Sequence, residues 1–263
     1  ENNNITWISR EKLPAVPSGY EFDFVNSSAL INAIQFKNGQ LVAQSGNTYN
    51  LLVLDETAKN MTLPVLKKLR DLVKAGAKVT GTKPEQSPSL ADNQAEFQFI
   101  VNEMWSSANV LKGSMADALK SLKVNEDVII KNAQNKILYR HRQTADQDIY
   151  WLDNRSTDAT NAEVSFRVTG KVPELWNPVT GKIEKASYRI KDGRTIVSLK
   201  FESWDAYFIV FRRDGKSTVS SYTKPTASET ILTQISTPWK VSFNDKNVMF
   251  DKLTSWTENK DAD

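Results

Sequence analysis

The chain has 263 residues, enough for two compact units of ordinary size. Forty per cent are hydrophobic and ten per cent aromatic, with seven Trp, so the sequence can build packed cores and a disordered chain is excluded. Lys and Arg number 34 against 31 Asp and Glu, and a net charge of +3 with interspersed signs gives no electrostatic ground for binding nucleic acid or a membrane.

The absence of cysteine excludes disulfides, thiolate zinc sites and thiol nucleophiles. A single histidine excludes a His-rich metal site, leaving oxygen ligands and therefore only a hard cation such as calcium. No run approaches the roughly 18 apolar residues of a membrane span. The opening "ENNNITWISREKLPAVPSGY" carries no signal-peptide pattern and reads as a lead-in, residues 1–17, continuing from something longer.

The first third alternates helix and strand signals. "VNSSALINAI" predicts a helix capped by Asn26 or Ser27, and "IQFKNGQLVAQSGNTY" a hairpin turning at Asn38-Gly39. "TYNLLVLDE" (48–56) predicts a strand buried on both faces of a parallel sheet. Thr62 as N-cap, Pro64 in the first turn, apolar Val65, Leu66, Leu69, Leu72 and Val73, and a closing Gly76 define the next helix. "AKVTG" then completes a β-α-β unit, and further helices are expected over 93–105 and 115–122. Residues 18–124 therefore read as a small doubly wound α/β domain.

From residue 125 the period changes to two. Seven strand-like runs, from "EDVIIKN" to "AYFIVFRR" and separated by turn residues such as Gly170, Pro178, Gly181, Asp192 and Gly193, predict an antiparallel β-sandwich over 125–213. Residues 214–230, rich in Ser, Thr and Lys, read as a linker. Residues 231–263 resume strand patterning but are too short for a core of their own, and read as the incomplete start of a further β domain.

Four groups of residues have the chemistry for a site. His141 titrates near neutrality and could serve as a general base, but "ILYRHRQ" alternates, placing it with Ile137 and Tyr139 opposite Leu138, Arg140 and Arg142, as in an ordinary strand. Asp55 and Glu56 leave the strand "NLLVL" at its carboxyl end, where open α/β sheets bind ligands, although a polar strand exit that caps the next turn is the plainer account of them. Glu21 and Asp23 alternate with Phe22 and Phe24, acids on one face and rings on the other, as in a half-buried strand. The set Trp105, Trp151, Trp176, Trp204 and Trp239 offers sugar-stacking faces or core filling. No G-x-S-x-G elbow and no glycine-rich phosphate loop occurs.

Five stretches, "PSGYEFDFVNSSALI", "YNLLVLDETAKNMTLPVLKKLRDLVKAGAKVTGTKPEQSPSLAD", "HRQTADQDIYWLDNRS", "VPELWNPVTGKI" and "PWKVSFNDKNVMFDKLTSW", resemble in the same order the later part of glycoside hydrolase family 106, the α-L-rhamnosidases of bacteria that degrade plant polysaccharides. The run from Tyr49 to Asp92 is the most specific. The resemblance implies a catalytic (β/α)8 barrel lying N-terminal to the matched stretch, an inverting mechanism with paired carboxylates, calcium in the parent enzyme, and a periplasmic or extracellular location. It offers no motif here onto which the catalytic acids can be carried, so none is assigned.

The α/β domain further resembles the glutamine-amidotransferase-like domain that follows the barrel in several glycosidases, without the cysteine an active amidotransferase needs. The resulting expectation is the accessory region of an α-L-rhamnosidase-like enzyme, inactive alone. It would meet a rhamnose-containing glycan through the parent and its own barrel, with no cofactor or metal ligand in this chain. Substrate or interface contacts fall to His141, Arg142, Trp151, Asp55 and Glu56. The rival is a free-standing carbohydrate-binding or assembly module. A third reading, hydrolysis by the chain itself, predicts loss of activity on changing Asp55 or Glu56.

Overall fold

The computed structural model describes residues 16–133, 137–215, 218–221, 230–244, 246–252 and 255. The expected lead-in and the charged tail lie largely outside these residues. Among the described residues the fold is rich in β-structure, with four α-helices. None of the described helices is long and apolar enough to cross a membrane.

Helix α1, Ser27–Ala33, starts where the Asn26 side chain accepts the Ala29 N–H at 2.9 Å, which satisfies a donor the helix cannot pair itself. Strands β1 (Ile34–Lys37) and β2 (Gln40–Ala43) form the predicted hairpin, with Asn38 and Gly39 both at positive φ as a tight two-residue turn requires. The continuous strand expected over 48–56 is in fact two. β3 (Thr48–Tyr49) completes an antiparallel sheet with β2, and after a break at Asn50 and Leu51, β4 (Leu52–Leu54) pairs in parallel with β5 (Val79–Gly81). An apolar run reports burial; it does not report a change of pairing partner.

Helix α2, Leu63–Ala75, buries Leu63, Val65, Leu66, Leu69, Leu72 and Val73 and ends at Gly76, whose φ of 116° suits a residue without a side chain. Thr62 stands at the N-cap but makes no side-chain cap bond; Asp92 supplies it from the following loop, its Oδ2 accepting the Leu63 N–H at 2.6 Å. Helices α3 (Gln94–Trp105) and α4 (Met115–Ser121) follow as predicted. Among the described residues the parallel part consists of β4 and β5 with α2 as their crossover, plus two isolated bridges, Asn60 to Gln86 and Val79 to Val110. This is one β-α-β unit, narrower than the doubly wound sheet expected. Its core runs from Leu30 to Val110.

The seven expected runs become nine strands: β6 (Val128–Lys131), β7 (Ile137–Gln143), β8 (Asp148–Asn154), β9 (Thr160–Phe166), β10 (Lys171–Trp176), β11 (Ile183–Lys185), β12 (Tyr188–Lys191), β13 (Arg194–Phe201) and β14 (Ala206–Asp214). Two runs split at internal turns, one of them at Asp192-Gly193 with both residues at positive φ. With a short β15 (Val219–Ser220), the strands form two antiparallel sheets, β11-β10-β14-β8-β7 and β15-β12-β13-β9-β6. Their inner faces bury Tyr150, Leu152, Phe166, Phe201, Ile209 and Phe211. β15 (Val219–Ser220) lies in the stretch expected to be a linker and pairs with β12, while β14 runs on to Asp214. A strand at a sheet edge needs only backbone partners, so low apolar content did not forbid it. Residues 222–229 of that stretch lie outside the described residues.

The chain divides into two compact units between Tyr222 and Thr223. The second contains a hairpin of β16 (Trp239–Phe243) and β17 (Lys246–Phe250), with Asn244 at positive φ in the turn.

Candidate functional site

The lead segment of residues 16–26 forms no strand, contrary to its alternation. It passes the start of β6, where the Asp127 N–H donates to the Gly19 carbonyl at 2.8 Å. Gly19 has φ +89°, and a Cβ there would lie 2.5 Å from the Val128 oxygen, so only glycine fits this approach. Beyond it the two acids diverge. Asp23 accepts the Tyr49 hydroxyl at 2.7 Å, while Glu21 accepts the His141 backbone N–H at 3.1 Å and lies 3.7 Å from Arg140. Burial pushes the Glu21 carboxyl up, outweighing the pull of the His141 N–H and Arg140. Phe22 and Phe24 pack edge to face at 5.4 Å and remain exposed instead of facing a core.

This segment walls a cavity of about 560 Å³ together with α1, the hairpin and the end of β4. Glu21, Asp23 and Asp55 are its carboxylates and Tyr20 and Tyr49 its phenols; most of the remaining wall is apolar. Asp55 is occupied as the cap of a short 3-10 helix, Glu56–Lys59, accepting the Thr57 N–H at 2.9 Å. Glu56 is exposed in the first turn of that helix.

His141 lies on the core-facing side of β7, as the alternation predicts, within a charged cluster. Its Nδ1 meets Asp127 Oδ2 at 2.8 Å and its Nε2 meets Asp148 Oδ1 at 3.2 Å, while the ring stacks on Tyr150 with centroids 4.0 Å apart. Asp127 precedes β6 in one sheet and Asp148 opens β8 in the other, so the imidazole ties the two sheets together. Burial favours the neutral ring, but the two carboxylates outweigh it and raise the His141 pKa. Burial likewise opposes ionised Asp127, yet His141 and Arg167 hold its carboxyl low. Arg167 reaches Asp127 at 3.2 Å and Lys171 reaches Asp148 at 3.3 Å. With a carboxylate against each ring nitrogen, neither nitrogen is open to a substrate, so this histidine is poorly placed for general-base work.

Arg142 and Trp151 lie on the outward face of the same sheet, with Trp151 packed edge to face on Phe208 at 4.7 Å. Asp55 belongs to the cavity beside the other core, so the five expected contact residues do not converge on one site. Trp105 packs partly buried against the α/β core, Trp204 is 66% exposed in a turn, and Trp239 lies in the second unit.

Sequence reasoning missed Asp127, Asp148 and Glu174, the buried acids. Glu174 is bonded to the Trp176 Nε1–H at 3.0 Å and to Arg212 and Arg213 at 2.9 Å each. The signal was present for Asp148, which the alternation places on the same face as Tyr150 and Leu152. Among the described residues no group of three or more His, Asp or Glu side chains could hold a metal ion, and the acids with tight partners are neutralised by Arg, Lys or His; these residues do not fit a calcium site.

The architecture defines a class, an α/β unit followed by an antiparallel sandwich. Residues 1–190 match the model of glycoside hydrolase family 106, alpha-L-rhamnosidase, and the chain belongs to that family. It is 34% identical over 205 residues to a protein of Formosa agariphila provisionally named a beta-glucuronidase, a match covering 75% of this chain and 17% of that protein. It superposes on the structure of a rhamnosidase from Novosphingobium sp. PP1Y with a TM-score of 0.78 and 30% identity, over 95% of this chain and 25% of that one. The chain thus spans a quarter or less of either relative.

Proposed function

We propose that this chain is the accessory, non-barrel region of an α-L-rhamnosidase-like glycoside hydrolase acting on rhamnosides of plant polysaccharides, and that it does not hydrolyse them alone. One observation carries the reading: the buried acids and the acids lining the cavity are already engaged. Asp127, Asp148 and Glu174 are locked in ion pairs, Asp55 caps a helix and Asp23 holds a tyrosine. Inverting hydrolysis needs one carboxyl free to protonate the leaving group and a second to activate water across a gap. The partial coverage of both relatives supports the same reading.

In this account the α/β part is a reduced amidotransferase-like domain that serves as scaffold, and without cysteine it performs no thiol chemistry. The sandwich is the second domain, and the parent enzyme works in the periplasm or outside the bacterial cell. Calcium, if the parent uses it, is held elsewhere than by the described residues. An antibody raised against this chain tests the accessory role by immunoblot of the source bacterium. The expected band is several times longer than 263 residues, and a native product of this length alone would contradict the proposal.

A further inference from the structure

A sheet face that meets only water places polar residues opposite its core positions. The outward face of the β7–β11 sheet departs from this rule. Strand register sets Arg140, Trp151, Phe208, Trp176 and Ile183 in one row across all five strands. None of the three rings belongs to either hydrophobic core. Trp151, Phe208 and Trp176 are half-buried, and Ile183 at the end of the row is 51% exposed.

Trp176 is also held in place. Its Nε1–H donates to buried Glu174, and the Arg212 guanidinium lies 5.0 Å from the ring centroid. A register shift between Val172 and Pro173 makes Arg212 an extra residue in β14, so that two consecutive arginines reach the same carboxylate. Burying a carboxylate is unfavourable unless it is fully paired. The network that pairs this one fixes an indole at the surface, and a fixed ring loses less entropy when a ligand arrives.

The geometry points to this row as a binding surface for an anionic oligosaccharide, whose pyranose faces lie on the rings and whose carboxylates meet the arginines. Adjacent strands are ~4.8 Å apart, which puts Trp151 and Trp176, separated by β14, about 10 Å from each other. That distance is comparable to the length of a disaccharide, and an aromatic face suits the C–H face of a pyranose. The charge is complementary as well. The Arg140 side chain is 76% exposed and meets Glu21 only at 3.7 Å, and Arg142 and Lys185 are exposed in the neighbouring row. The carboxylates on this face, Glu174 and Asp153, are already paired with Arg212, Arg213 and Arg155. The surface therefore presents the exposed positive charges of Arg142 and Lys185 beside apolar rings. This inference rests on strand register and side-chain contacts, independently of the accessory role proposed above.

Calorimetric titration of the 263-residue chain with a tetramer of galacturonate, and separately with its methyl ester, tests the assignment. The acid form binds, and affinity falls about tenfold or more on methyl esterification or with Trp151→Ala or Trp176→Ala. Arg142→Glu, an exposed position, weakens binding several-fold with the melting curve unchanged, and keeps the test valid where an alanine variant does not fold. No binding at millimolar ligand, or equal binding by wild type and Arg142→Glu, overturns the proposal. So does equal affinity for acid and ester. A dimer in sedimentation that Trp151→Ala dissolves would assign the face to a second copy of the chain and overturn it likewise.

Discussion

His141 stands between two carboxylates from different sheets with its ring flat on Tyr150, and its protonation state is coupled to the stability of the sandwich. Its pKa is raised in the fold, so its contribution is fully present below the ordinary value of 6.5 and is lost as pH rises through the higher folded value. Asp127 is lowered, so its contribution is present above its ordinary 3.8 and is lost as pH falls through the lower folded value. The pair is therefore strongest between these two ordinary values. His141→Ala should destabilise the chain by about 2–4 kcal/mol at pH 5.5, near the lower end for a broken buried pair because Arg167 and Lys171 remain on the acids. Denaturant melts at pH 5.5 and pH 9 check this: the gap between variant and wild type should shrink at the higher pH. A gap that stays constant would remove the ionic account of the cluster. The alternation of "ILYRHRQ" revealed which way His141 points, but not its partners, because Asp127 and Asp148 meet it only once two sheets have stacked.

At the scale of elements, local signals that act within a few residues of their target were readable. The Asn26 cap, the Asn38-Gly39 turn and the Gly76 stop all work through their own backbone, and all appear where expected. Asn26→Ala should cost about 1 kcal/mol, while Asn26→Asp should be near neutral, as urea denaturation of the two variants would show. Where a distant residue replaces the local one, the pattern fails. Thr62 is a good cap residue by type, yet Asp92, 29 residues on, takes the Leu63 N–H. Asp92→Ala should therefore speed hydrogen exchange in the first turn of α2 more than Thr62→Ala does, and the reverse order would contradict the assignment. The lead segment "GYEFDFVN" shows the same limit. Its period of two predicted a strand, but it meets the edge strands β6 and β7 through single hydrogen bonds and not through a ladder, and Phe22 and Phe24 remain outside a core.

At the scale of the whole molecule, periodicity and turn spacing predict an α/β part followed by a sandwich, and the described residues hold one hydrophobic core among the helices and the parallel strands and another between the two antiparallel sheets. The inner aromatic cluster of Tyr150, Phe166 and Phe211, with centroids 4.8 to 5.9 Å apart, is the centre of the second core. Phe166→Ala should lose about 3–5 kcal/mol, measurable as a fall in the urea midpoint. The width of the parallel sheet was not legible, because one β-α-β unit and a doubly wound domain begin with the same sequence pattern. Of the residues expected as contacts, Asp55 lines the cavity and Trp151 lies on the outward face of a sandwich sheet, two separate places, and the grouping of Trp151 with Phe208 and Trp176 depends on strand order that no local pattern encodes. The central claim, that the chain is a non-catalytic part of a family 106 enzyme, is tested most directly by prolonged incubation of the purified chain with an aryl α-L-rhamnoside. The account predicts aglycone release no faster than in buffer; sustained turnover that disappears in Glu21→Gln, Asp55→Asn or Glu56→Gln would contradict it.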